Sequence, residues 1–91
     1  MTLEEACHKT VDAMIQGFGA YNPGGSDVLW MSTSELAHLW DGAPGQLSGR
    51  IGTRHLSWLN RELEARGSEL RVLQYDRGKR SFLVERRRGA R

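Results

Sequence analysis

A chain of 91 residues makes one domain, and its thin core leaves little room for a deep substrate cavity. No apolar run reaches the 18 residues of a membrane span, the opening MTLEEACHKT has no secretion-signal pattern, and the lone Cys7 forms no internal disulfide and suits a reducing cytoplasm. Net charge is only +2 but is unevenly placed: residues 1–46 carry one lysine against six acids, and residues 47–91 carry twelve basic residues against five acids. A half with a net charge of +7 predicts a polyanionic partner, and eleven of the thirteen basic residues are arginines, whose planar fork suits phosphates and guanine edges.

The first helix is predicted from Thr2 to about Phe18. Leu3, Ala6, Cys7, Thr10, Val11, Met14 and Phe18 form one apolar stripe, and Glu5, His8, Asp12 and Gln16 fall opposite. Thr2 is the expected N-cap, and Tyr21-Asn22-Pro23-Gly24-Gly25 breaks the chain. Val28–Met31 reads as a short strand. Ser32-Thr33-Ser34-Glu35 fits a capping box that opens a second helix, Thr33 to Trp40, with Leu36, Leu39 and Trp40 inward.

Residues 41–52 form a long loop, pinned by Leu47 and Ile51. Thr53 is the expected cap of a third helix, Arg54 to Arg66, closed by Gly67 in a left-handed cap. On that helix Leu56, Leu59 and Leu63 lie within about 60° and face the core. The opposite face presents Arg54, Ser57, Trp58, Arg61 and Ala65. Trp58 points away from the core, either under the long loop or toward a partner.

The last element is predicted as a hairpin, Glu69–Tyr75 and Lys79–Glu85, around the three-residue loop Asp76-Arg77-Gly78 with Gly78 left-handed. That register sets Val72 opposite Phe82 and Leu70 opposite Val84. The domain then covers residues 1–85, and 86–91 form a basic flexible tail.

The expected fold class is α+β: three helices, a short strand and a C-terminal hairpin. The stretch from Trp30 to Glu85 resembles winged helix-turn-helix domains. Its segments STSELAHLW, GRIGTRHLSWLNRELEARG and RGKRSFLVE more loosely resemble the terminal winged-helix modules of phage and plasmid primase-helicase proteins. The long loop 41–52 departs from the usual tight turn. The resemblance implies a DNA-binding role, with the third helix in the major groove and the hairpin as a wing on the backbone.

The candidate DNA-binding residues are Arg50, Arg54, Ser57, Trp58, Arg61, the wing's Arg77, Lys79 and Arg80, and the tail's Arg86, Arg87 and Arg88. The expected partner is double-stranded DNA, in a transcriptional or replication and recombination role at the nucleoid. No enzyme, cofactor or metal site is expected. Cys7 and His8 are adjacent and diverge by about 100° on a helix. His8, His38 and His55 fall on three helices without ligand spacing. The alternative is a protein-interaction module on the same fold, such as a small phage inhibitor or assembly adaptor. It would use loop 41–52 or the surplus apolar Ile15 of the first helix, which also offers a surface for a homodimer.

Overall fold

The computed structural model describes residues 2–20, 22–39 and 51–87. The first helix, α1, spans Leu3–Ala20. The Thr2 hydroxyl accepts the Glu5 N–H at 3.1 Å, and the Glu5 carboxylate accepts the Thr2 N–H at 2.9 Å, so the predicted cap is a full capping box. The hydrogen bonds from the backbone and hydroxyl of Thr2 hold the Glu5 carboxyl below its ordinary pKa. The predicted stripe is buried from Ala6 to Phe18, with Leu3 packed at its edge. The Thr10 hydroxyl lies within it and donates to the Ala6 carbonyl at 2.6 Å.

Strand β1, Val28–Ser32, runs directly into α2, Thr33–Leu39. The predicted capping box between them is formed: the Glu35 N–H donates to the Ser32 hydroxyl at 3.1 Å, and that hydroxyl donates to the Glu35 carboxylate at 3.0 Å. Leu36 and Ala37 are buried and Leu39 partly so. Trp40, Leu47 and all of the loop as far as Arg50 lie outside the described residues. Ile51, the second predicted pin, is buried.

The third helix begins differently from the expectation. Thr53–His55 is a 3-10 turn, and the α-helix proper, α3, spans Leu56–Ala65. Thr53 caps nothing. The His55 imidazole Nδ1 instead reaches back to accept the Gly52 N–H at 3.0 Å, so the start is tied one residue earlier and by a side chain three positions on. The far end matches the expectation. Gly67 has φ +69°, Ser68 N–H donates to Leu63 O, and Gly67 N–H donates to Glu64 O, both at 3.0 Å. This Schellman closure needs a residue free to adopt a left-handed backbone.

Strands β2, Leu70–Asp76, and β3, Ser81–Arg86, complete a three-stranded antiparallel sheet in the order β1-β3-β2. The hairpin register corrects the expectation. Val72 faces Val84, Tyr75 faces Phe82, Leu70 faces Arg86, and the turn has four residues, 77–80. A bulge between Val72 and Gln74 adds Leu73 as an extra residue. Leu73 and Gln74 both face outward, so Val72 and Tyr75 reach the core side although they are three apart. The left-handed turn residue is Arg80, φ +50°, and not Gly78. The Asp76 carboxylate accepts the Lys79 N–H at 3.1 Å and fixes the turn.

The molecule is α+β, with α1, α2 and α3 on one face of the sheet around Met14, Met31, Leu36, Leu59, Leu63, Phe82 and Val84. Both outer strands have free backbone groups occupied by side chains. The Asn60 side chain of α3 donates to Val72 O at 3.0 Å and accepts Val72 N–H at 2.7 Å. The Ser26 hydroxyl serves Val28 N–H and Val28 O in the same way on β1. An edge strand closed by side chains offers less for another chain to pair with, and the Asn60 clasp also fixes α3 along β2.

Candidate nucleic-acid interface

α3 runs antiparallel to β2. Its entry lies by the hairpin tip, where the Tyr75 and Phe82 rings pack at a 45° tilt with centres 4.6 Å apart and a Cβ on Gly52 would stand 3.6 Å from the Tyr75 ring. Its exit, Gly67–Ser68, leads straight into the hairpin base. Seven residues of β2 separate base and tip by roughly 20 Å at the usual strand rise. The candidate residues therefore fall into two groups.

At the tip end, Arg54 is exposed on the 3-10 turn, and Ser57, Trp58 and Arg61 follow along the exposed face of α3. Trp58 is 45% exposed and meets the His55 ring edge-on at 6.0 Å. Arg77, Lys79 and Arg80 form the exposed turn. The turn is anchored to the body of the protein: Thr33 N–H donates to Arg80 O at 2.9 Å, and Lys79 Nζ sits 5.4 Å from the centre of the Trp30 ring. Among the described residues, no carboxylate lies within ion-pair distance of Arg54, Arg61, Arg77, Lys79 or Arg80.

At the base the arginines are held. β3 continues to Arg86, one residue into the segment expected as tail. The Arg86 guanidinium makes two bonds to Asp27, at 3.0 and 3.1 Å, reaches Gly25 O, and lies 5.3 Å from the Phe18 ring centre. Arg87 pairs with Glu85 at 3.0 Å, and its N–H donates to Glu69 O. Arg71 is turned to Ser68 O and Leu70 O, with Glu64 at 3.8 Å. Arg50 and Arg88 lie outside the described residues.

The acidic first half of the chain explains part of this pattern. Arg66 reaches across from α3 to Asp12 of α1 and also bonds Glu62 at 2.9 Å. Burial weakens the Arg66 charge, but the hydrogen bonds to Asp12 and Glu62 outweigh it and hold its pKa above the ordinary arginine value. His8 Nε2 stands 3.4 Å from Glu62. Asp12–Arg66 and Asp27–Arg86 both join an early acid to a late arginine, so some of the charge segregation along the chain is cancelled by folding.

Three features were not visible in the spacing. Asn60 sits between the core and solvent stripes of α3, and only the side-chain clasp on Val72 gives it a role. The cleft between α1 and α3, about 300 Å³ in volume, is lined by Glu4, Cys7, His8, Trp58, Arg61 and Glu62. Its signal was the 54-residue offset that pairs His8 with Glu62 and Asp12 with Arg66. The third is an open apolar strip on the outer sheet face, where Val28, Trp30 and Leu73 are each about 40% exposed.

Burial, and secondly Glu62, push the Cys7 thiol pKa up, which keeps it a neutral, weakly nucleophilic group. Among the described residues no cluster of three His, Cys, Asp or Glu side chains could hold a metal ion, and no helix is long and apolar enough to cross a membrane. Comparison of the chain with family models, with curated proteins and with solved structures gives no match.

Proposed function

We propose that the chain is a winged-helix DNA-binding module whose contact surface is the tip end of the molecule. α3 with its 3-10 lead-in supplies Arg54, Ser57 and Arg61 to the major groove. The hairpin, as the wing, sets Arg77, Lys79 and Arg80 on the flanking backbone. The order helix, strand, helix, helix, hairpin supports this reading, as does a first strand joined to the far strand of the hairpin. The observation that carries it is the placement of cations: among the described residues, Arg54 and Arg61 along the exposed face of α3 and Arg77, Lys79 and Arg80 on the hairpin turn have no acidic partner, as is true also of Lys9 on α1. Arg86 and Arg87, committed to Asp27 and Glu85, are not assigned to the contact.

Fluorescence anisotropy of a labelled duplex titrated at several salt concentrations tests it. Three to five neutralised phosphates give a log–log slope of roughly −3 to −4.5. A slope near zero, or no binding below micromolar protein at low salt, removes the reading.

A second reading, a protein-interaction module, is favoured by the strip Val28, Trp30 and Leu73. On that reading Val28→Ser with Leu73→Ser abolishes a nuclease-insensitive association and leaves duplex affinity unchanged.

A further inference from the structure

Resting on the DNA-binding reading, we infer that the cleft between α1 and α3 takes one unpaired nucleobase stacked on Trp58, so that the preferred ligand is duplex DNA interrupted by a bulged or flipped nucleotide. The observation that calls for this is the tryptophan itself. Trp58 stands in the middle of the exposed face of α3, 45% exposed, with Arg54 four residues before it and Arg61 three after. An intact duplex presents base edges in its major groove, hydrogen-bonding groups and the thymine methyl, and hides the flat base faces in the stack. The large ring of a tryptophan gains most against such a flat face, and base–aromatic stacking is how proteins hold unpaired nucleotides.

The cleft beside Trp58 has the size and chemistry for the rest of a base. Its volume, about 300 Å³, is at the small end for ligand clefts. Trp58 forms one wall, and the buried, neutral Cys7 lies among its lining residues. Glu62 is held in place by Arg66 Nε at 2.9 Å and by His8 Nε2 at 3.4 Å, and with Glu4 it offers carboxylate oxygens to an exocyclic amino group. Arg61 offers donors to ring nitrogens or carbonyls, and it lies along the same helix face as Arg54, the course a phosphate backbone would follow. Bases carrying an amino group, adenine, cytosine and guanine, fit this set better than thymine.

The test uses the full chain and three labelled probes of one sequence: a blunt duplex, the same duplex with a single bulged adenosine, and the same bulge with an abasic nucleotide. The bulged adenosine binds about tenfold tighter than the blunt duplex, the size of one base–aromatic stack. The abasic bulge, which keeps the phosphate and the flexibility, loses that gain. Trp58→Ala abolishes the difference between the bulged and blunt probes, and Trp58→Phe keeps most of it. Replacing the bulged adenine by 2-aminopurine gives a fluorescence change with the wild type and Trp58→Phe only. A gain that survives in the abasic probe or in Trp58→Ala overturns the inference, as does equal binding of blunt and bulged probes. Failure to bind any probe removes the DNA-binding reading itself, so the two failures are distinct.

Discussion

At the base of the hairpin, Arg86 and Arg87 are held by Asp27 and Glu85, while at its tip Arg77, Lys79 and Arg80 meet no carboxylate among the described residues. Both ends carry clustered basic side chains and differ in what those side chains meet. At the base, the Arg86 guanidinium closes a structural joint, fastening the end of β3 to the segment before β1 and covering Phe18, while the Arg87 guanidinium pairs with Glu85 two residues before it. At the tip, the backbone is what is fastened, through Asp76 and the Thr33–Arg80 bond; Lys79 lies over the Trp30 ring, and Arg77 and Arg80 are exposed. A count of arginines along the sequence cannot separate these roles. The partner of each one can.

Four variants, one of them a double substitution, probe this contrast and the scaffold that supports it. The largest effect is expected from Arg54→Glu with Arg61→Glu, which turns two attractive contacts repulsive: duplex affinity falls at least about 100-fold, roughly 2.7 kcal/mol, with thermal stability nearly unchanged. An equal loss of affinity from Arg86→Gln with Arg87→Gln would erase the distinction between the ends.

Asn60→Ala leaves both backbone groups of Val72 without their partner. It is expected to cost about 1–2 kcal/mol, seen as a fall in melting temperature of about 5–10 °C. An unchanged melting curve would mean that water replaces the amide without loss.

Arg86→Gln alone removes a two-point ion pair and the contact with Phe18. The side chain is about a quarter exposed, so solvent screening holds the expected cost near ~1 kcal/mol. Chemical denaturation detects it, and DNA affinity stays constant.

The smallest effect is at the tip. Arg80 adopts φ +50°, a conformation that costs a non-glycine residue about 1 kcal/mol. Arg80→Gly relieves that strain and is expected to stabilise the fold by a few tenths of a kcal/mol up to ~1, while weakening DNA binding. A loss of stability would show that the Arg80 side chain is structural, like those at the base.

Much of the scaffold was legible because it rests on local chemistry. The stripe of α1, the Ser32–Glu35 box and the Gly67 closure each follow from residues within a turn or two of one another. What was missed depends on distant partners. The expected hairpin register placed Val72 opposite Phe82 because a three-residue loop then aligned all four apolar residues. The same four residues are buried in the structure, but an extra residue at Leu73 and a longer turn bring Tyr75 to Phe82 instead. The spacing Leu70-Val72-Tyr75, two and then three, was the available sign of a bulge. Thr53 lost the cap position because the His55 ring, placed by the 3-10 turn, satisfies Gly52 first.

Among the candidate site residues, the exposed positions of Ser57, Trp58 and Arg61 followed from helical period alone. Arg86 did not, because nothing near it in the sequence announces Asp27, 59 residues earlier.

The most direct test of the division between the two ends is the salt dependence of duplex binding in two matched variants. Neutralising the tip, by Arg77→Gln, Lys79→Gln and Arg80→Gln together, is expected to make the log–log salt slope shallower by about 2 to 3, close to 0.9 for each phosphate that is no longer neutralised. Neutralising the base, by Arg86→Gln with Arg87→Gln, is expected to leave the slope unchanged within error. Equal changes in both variants, or a larger one from the base, would contradict the assignment of the tip as the DNA-contacting end.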